Sequence, residues 1–196
     1  MKKFRFHFLV CLLLLIFAAV QAPAQQGKSL KWSLGLQNIK TGEMVSCALP
    51  VQSKTGDHYR LMVQASSKCF LYVIYESADG EDVLVLYSGP FKESWQSDVL
   101  VLTEPGGTES FFVIASYNEQ KDLAQRVEAL RSNYGITQKR ALMAEVHGVR
   151  RNISQFKESP EKPVLMGGAS RGSQDKNEGV EFSGLSTYVK TISIEH

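Results

Sequence analysis

The chain offers few residues whose type and spacing could do chemistry, and Cys47 and Cys69 are the first of them. An even pair of cysteines invites a disulfide in an oxidising compartment. Closing a loop of that span would remove unfolded-chain entropy worth roughly 3 kcal/mol. The competing arrangement is two separate buried thiols, since cysteine often serves as a small core residue. A third cysteine, Cys11, sits inside an N-terminal apolar run.

The remaining candidates point away from catalysis. Lys-Thr-Gly occurs at Lys40-Thr41-Gly42 and again at Lys54-Thr55-Gly56. Such a triplet can line the pocket of a serine nucleophile, but that chemistry also needs Ser-x-x-Lys, whose lysine activates the serine. Ser159-Pro160-Glu161-Lys162 has the right letters in the wrong order relative to both triplets, and Pro160 opposes the required helix. Both triplets therefore read as turns. Of the histidines, His58, His147 and His196 have no Cys or His partner at ligand spacing, so no metal site is expected. Gly167-Gly168-Ala169-Ser170 lacks the lysine of a phosphate-binding loop, and Asn152-Ile153-Ser154 falls within an expected helix. No nucleophile-elbow pattern is present. The expectation is a protein with no catalytic, cofactor-binding or metal-binding residues, and so not an enzyme.

The N-terminus reads as an address. Lys2, Lys3 and Arg5 precede the apolar run Phe8 to Val20, and Ala22-Pro23-Ala24 supplies small residues before Gln25. That is the layout of a secretory signal peptide over 1–24, cleaved near Ala24. The run is shorter than the about 20 residues a membrane-spanning helix needs. Cys11 lies too early in it for a lipidation site and would leave with the peptide. No stable membrane insertion is expected after cleavage. The formal net charge of +2 also loses three positive side chains, so residues 25–196 are close to neutral. That argues against nucleic acid as a partner.

Several elements can be read from periodicity. Leu30, Trp32, Leu34 and Leu36 alternate with polar or small residues, as do Tyr59, Leu61, Val63 and Ala65, marking half-buried strands. Cys69 to Tyr75 is apolar at both parities, as expected of a central strand covered on both faces. Asp79-Gly80 then predicts a hairpin into Val83 to Tyr87. Met44 to Leu49, Val99 to Leu102 and Ser110 to Ala115 read as further strands. Leu123, Val127 and Leu130 form a helical stripe, capped by Ser116 or Asn118, and Leu142, Val146, Val149, Ile153 and Phe156 form a second. The Gly-, Ser- and charge-rich stretch that follows reads as loop, and Tyr188 to Ile194 alternates as a closing strand. The fold class is α+β: one antiparallel, β-rich, sandwich-like domain over 25–196, with a helical insertion at 119–158, a flexible loop at 159–179 and a closing strand at 186–195.

Three segments carry a family resemblance: Gly56-Asp57-His58-Tyr59-Arg60, then Cys69-Phe70-Leu71-Tyr72-Val73 leading to Asp79-Gly80, then Glu104-Pro105-Gly106-Gly107-Thr108-Glu109 before Phe111 to Ser116. Together they resemble the bacterial family catalogued as domain of unknown function 4384. Leu86-Tyr87-Ser88-Gly89 departs from the Leu-Phe-Pro that family favours. The resemblance implies a small β-rich module in exported or signalling proteins and brings no catalytic residues. The functional expectation is a periplasmic or secreted, non-catalytic envelope protein acting through contacts with a protein partner. An envelope hydrolase and a small-ligand-binding module are the alternatives.

Overall fold

The structure is a computed structural model and describes residues 30–47, 49–153, 162–165, 178–183 and 186–196. The expected signal peptide therefore lies outside the described residues, as does much of the expected 159–179 loop. The described strands are β1 (Lys31–Asn38), β2 (Met44–Val45), β3 (Val51–Gln52), β4 (His58–Glu76), β5 (Val83–Gln96), β6 (Leu100–Val101), β7 (Thr108–Ser116), β8 (Lys162–Leu165), β9 (Glu178–Ser183) and β10 (Thr187–Glu195). Two helices, α1 (Lys121–Ser132) and α2 (Ile136–Ile153), fall between β7 and β8.

All ten strands join one sheet, in the order β3-β10-β7-β4-β1-β9-β8, with β2 on β1 and both β5 and β6 on β4. The sheet is mixed and curls into a nearly closed, barrel-like form. Its pairings are antiparallel except that β10 runs parallel to β3, through Ile194↔Val51. The β-rich α+β class thus holds, while the expectation of a purely antiparallel sheet does not.

β4 organises the fold. Its first half pairs with β1, from Tyr59↔Asn38 to Ala65↔Trp32. Its second half pairs with β7, from Phe70↔Ser116 to Glu76↔Ser110. β1 and β7 thus share one edge of β4 in succession, and β5 runs along the other edge. The alternation read from sequence selects the inner face. Trp32, Leu34, Leu36, Leu61, Val63, Leu71, Val73, Phe111 and Val113 are all buried inside the curl.

The second half of β4 also has a buried outer face. Tyr72 and Ile74 meet Phe112 and Ile114 of β7, and α1 and α2 cover them with Leu123, Val127, Leu130, Leu142, Met143 and Val146. This explains why Cys69 to Tyr75 is apolar at both parities. Each fully buried aliphatic side chain there contributes about 1.5–3 kcal/mol. The helix start differs from the sequence reading: Gln120 occupies the N-cap position without a side-chain cap. Ser116 instead shares a 2.9 Å hydrogen bond with Thr187, so it fastens β7 to β10.

Three further differences have physical reasons. The 159–179 segment, expected as flexible loop, contains β8 and the first residues of β9. β9 pairs with the sequence-distant β1 through Trp32↔Phe182, and β8 adds on to β9. The strand expected over Met44 to Leu49 shortens to two residues. β5 continues well past Tyr87, through Gly89 and Pro90 to Gln96. Proline is tolerated because this strand pairs on one side only among the described residues.

Candidate binding site

The ladders break at the centre of β4. Ala65 pairs with Glu93 and Cys69 with Phe91, so four steps along β4 match two along β5. On the opposite edge, the β1 ladder stops at Ala65 and the β7 ladder starts at Phe70. Ser66 to Lys68 therefore form a bulge at the point where β1 and β7 part. Bulges bend a strand and re-aim its side chains. β5 bends beside it, with Gly89 at φ +137° and Glu93 at φ +80°. The left-handed backbone at Glu93 is uncommon for a residue with a side chain.

A pocket of about 370 Å³ opens at this break. Its floor is Cys69 and Phe91, both nearly inaccessible. Phe70, Pro90 and Tyr117 form its walls, and Lys68 and Lys92 stand exposed at its rim. The walls are held from behind. The Tyr87 hydroxyl donates to the Pro90 carbonyl at 2.7 Å. Tyr87 also packs against Phe91 and Trp95 in edge-on contacts with centroids 5.8 and 5.6 Å apart. None of the lining residues is acidic.

Cys69 is the thiol among the pocket's lining residues, and burial pushes it up to about 11. A thiol held protonated at neutral pH is a poor nucleophile. Cys47 is buried in the same core, and its thiol donates to the Val45 carbonyl at 3.6 Å. The expected Cys47–Cys69 disulfide is not formed in this structure. β1 stands between β2, which leads into Cys47, and β4, which carries Cys69. Val45 lies level with Leu36 and, across β1, with Leu61, which is eight residues before Cys69 on β4.

A second polar cluster escaped the sequence reading. Glu109 of β7 is buried, with His196 Nε2 at 3.3 Å from its Oε1 and with the Tyr75 hydroxyl as a further partner. Burial foremost raises the Glu109 carboxyl above its ordinary range, and the nearby His196 partly opposes this. Burial, and then the Glu109 charge, push the Tyr75 hydroxyl up as well. His196 Nδ1 lies 3.2 Å from Thr55 Oγ1, and its backbone exchanges hydrogen bonds with Gly107. The His196 side chain is 0% exposed, so no substrate reaches it. The cluster joins β4, β7 and the end of β10. Its only sequence signal was a glutamate at an inward parity of β7.

The other candidates lie apart. Both Lys-Thr-Gly triplets are turns, one built on the Asn38 carboxamide oxygen and one on the Asp57 carboxylate. Hydrogen bonds from Ser53 foremost hold the Asp57 carboxyl below its usual value. His58 is exposed, and His147 packs edge-on against Phe112 at 5.4 Å. Ser159 lies outside the described residues, while Lys162 begins β8. Among the described residues no cluster of potential metal ligands occurs, and no helix is long and apolar enough to cross a membrane. No family model, curated protein or solved structure matches this chain.

Proposed function

We propose that this protein is an exported, non-catalytic module of the bacterial cell envelope, periplasmic or secreted, that acts by binding another protein. Its curled sheet serves as a sandwich-like scaffold, and the resemblance to domain of unknown function 4384 implies a small β-rich module. The observation that carries the reading is the outer edge of β5. Among the described residues, Val83 to Ser88 pair with β4 alone. An unpaired strand edge is a template for a partner's backbone.

The second half of β5 is blunted by Gly89, Pro90, Lys92 and the left-handed Glu93, whereas the first half has no such guard. Exposed apolar side chains flank that first half. Asp82 accepts from Tyr134 and Lys139, which holds the α1–α2 turn against the β4–β5 hairpin. Leu84, Tyr134 and Ile136 each lie within two residues of this contact and are 44%, 53% and 49% exposed. A hydrolase finds less support. The pocket's thiol is held protonated, and the Tyr75–Glu109–His196 cluster is sealed.

The test is affinity capture from envelope extract with the wild-type chain and with Leu84→Lys, which charges the open edge. The wild type is expected to enrich one protein reproducibly, and the variant to lose it by at least about tenfold. No reproducible partner, or equal capture by the variant, overturns the reading.

A further inference from the structure

The pocket at the β4 break has a composition that the β5 edge does not explain. It sits on the seam between the two cores. Cys69 and Phe91 belong to the core inside the curl, and Phe70 packs against the outer core beneath the helices. Small-molecule sites typically span roughly 300–1,000 Å³, with apolar walls and a few polar groups that fix orientation. At about 370 Å³ this one is at the small end.

Charge narrows the occupant. Lys68 and Lys92 approach the mouth from two different strands, and no lining residue is acidic to neutralise them. Lys92 pairs with Glu93 at 3.1 Å. Both partners are mostly solvent-exposed, so the pair is weak and readily exchanged for a ligand's anion. Below the rim the surface turns apolar and aromatic. The Tyr117 hydroxyl, 3.4 Å from Ser67 Oγ, is the polar side-chain group between rim and floor. The Tyr87–Phe91–Trp95 ladder fixes the floor before any ligand arrives, which lowers the ordering cost of binding.

We infer that this pocket binds a small amphipathic anion: a flat apolar body seated on Phe91, Phe70 and Tyr117, with its carboxylate between Lys68 and Lys92. The site stands whether or not β5 recruits a protein.

Calorimetric titration of the purified protein tests it, with 2-naphthoate as the probe and neutral 2-naphthamide as its isostere. Naphthoate is expected to bind saturably, and naphthamide at least about tenfold more weakly. The double substitution Lys68→Gln/Lys92→Gln changes two exposed side chains, so the fold should persist, which circular dichroism checks. It is expected to weaken naphthoate by at least about tenfold. Inorganic phosphate is expected not to displace naphthoate, since it offers nothing to the apolar floor. Leu84→Lys, remote from the lining residues, is expected to bind naphthoate like the wild type, which separates this site from the β5 edge. No saturable binding, equal affinity for the two probes, or an unaffected double variant overturns the inference. So does displacement by phosphate, or loss of binding in Leu84→Lys.

Discussion

At the residue scale, the buried carboxyl of Glu109 makes stability depend on pH in an unusual direction. Most carboxylates in folded proteins have lowered values, so acid destabilises the fold. Glu109 is raised, chiefly by burial. Its folded form holds a proton that the unfolded chain has already released, so the folded state binds more protons within that window. Its favourable contribution is complete below the ordinary value of 4.5 and is lost as pH rises through the folded value. Glu109→Gln removes the titration and keeps an oxygen to accept from Tyr75. Urea midpoints compared between pH 4 and 8 should show the wild type losing stability relative to the variant as pH rises. A constant difference between the two across that range would contradict the assignment. Tyr75 and His196 face the same carboxyl and both remain in the variant, so the comparison reads Glu109 together with its interaction with His196.

At the element scale, the helical pair tests whether the outer core holds the sheet. Leu142 is fully buried between α2 and the outer face of the second half of β4. Truncation to alanine should cost about 2–5 kcal/mol by equilibrium urea unfolding. Ile136 begins the same helix but is 49% exposed, and Ile136→Ala should stay within about 0.5 kcal/mol of the wild type. A small loss for Leu142→Ala would mean that the helices rest loosely on the sheet. This packing was legible in the sequence because an apolar stripe at helical spacing has to face something, as does a strand that is apolar on both parities. The Asp79-Gly80 turn was legible for a local reason too, since Gly80 takes φ +71°. The second half of β5 was not legible, because Gly89 and Pro90 are breakers by composition. They persist in a strand only because one edge is unpaired and β4 bulges opposite. β8 and β9 were hidden differently. β8 is four residues long with Pro163 inside it, and β9 is held by its pairing to β1, a tertiary fact. The pocket was hidden for the same reason. Its residues come from three separate stretches, and only the register break brings Lys68 and Lys92 to one mouth.

At the scale of the whole molecule, the fold bears on the cleavage proposed after Ala24. Leu30 is 0% exposed and Trp32 2% exposed. β1 pairs with β4, β9 and β2, so the inner core depends on it. A cut beyond Leu30 would remove a core side chain, whereas a cut after Ala24 leaves the whole strand and a short lead-in. The residue types agree with that position, since Ala22 and Ala24 are the small pair next to the apolar run. Cleavage there would also remove Lys2, Lys3 and Arg5. A chain so cut would carry little net charge overall. Long-range attraction of anions would be weak in such a molecule, and selectivity would come from the short range at the pocket mouth. The measurement is the intact mass of the protein recovered from the cell envelope or the medium. A mass beginning at Gln25 is expected. An intact Met1 would refute export by this route, and a start beyond Leu30 would contradict the role of β1 in the core.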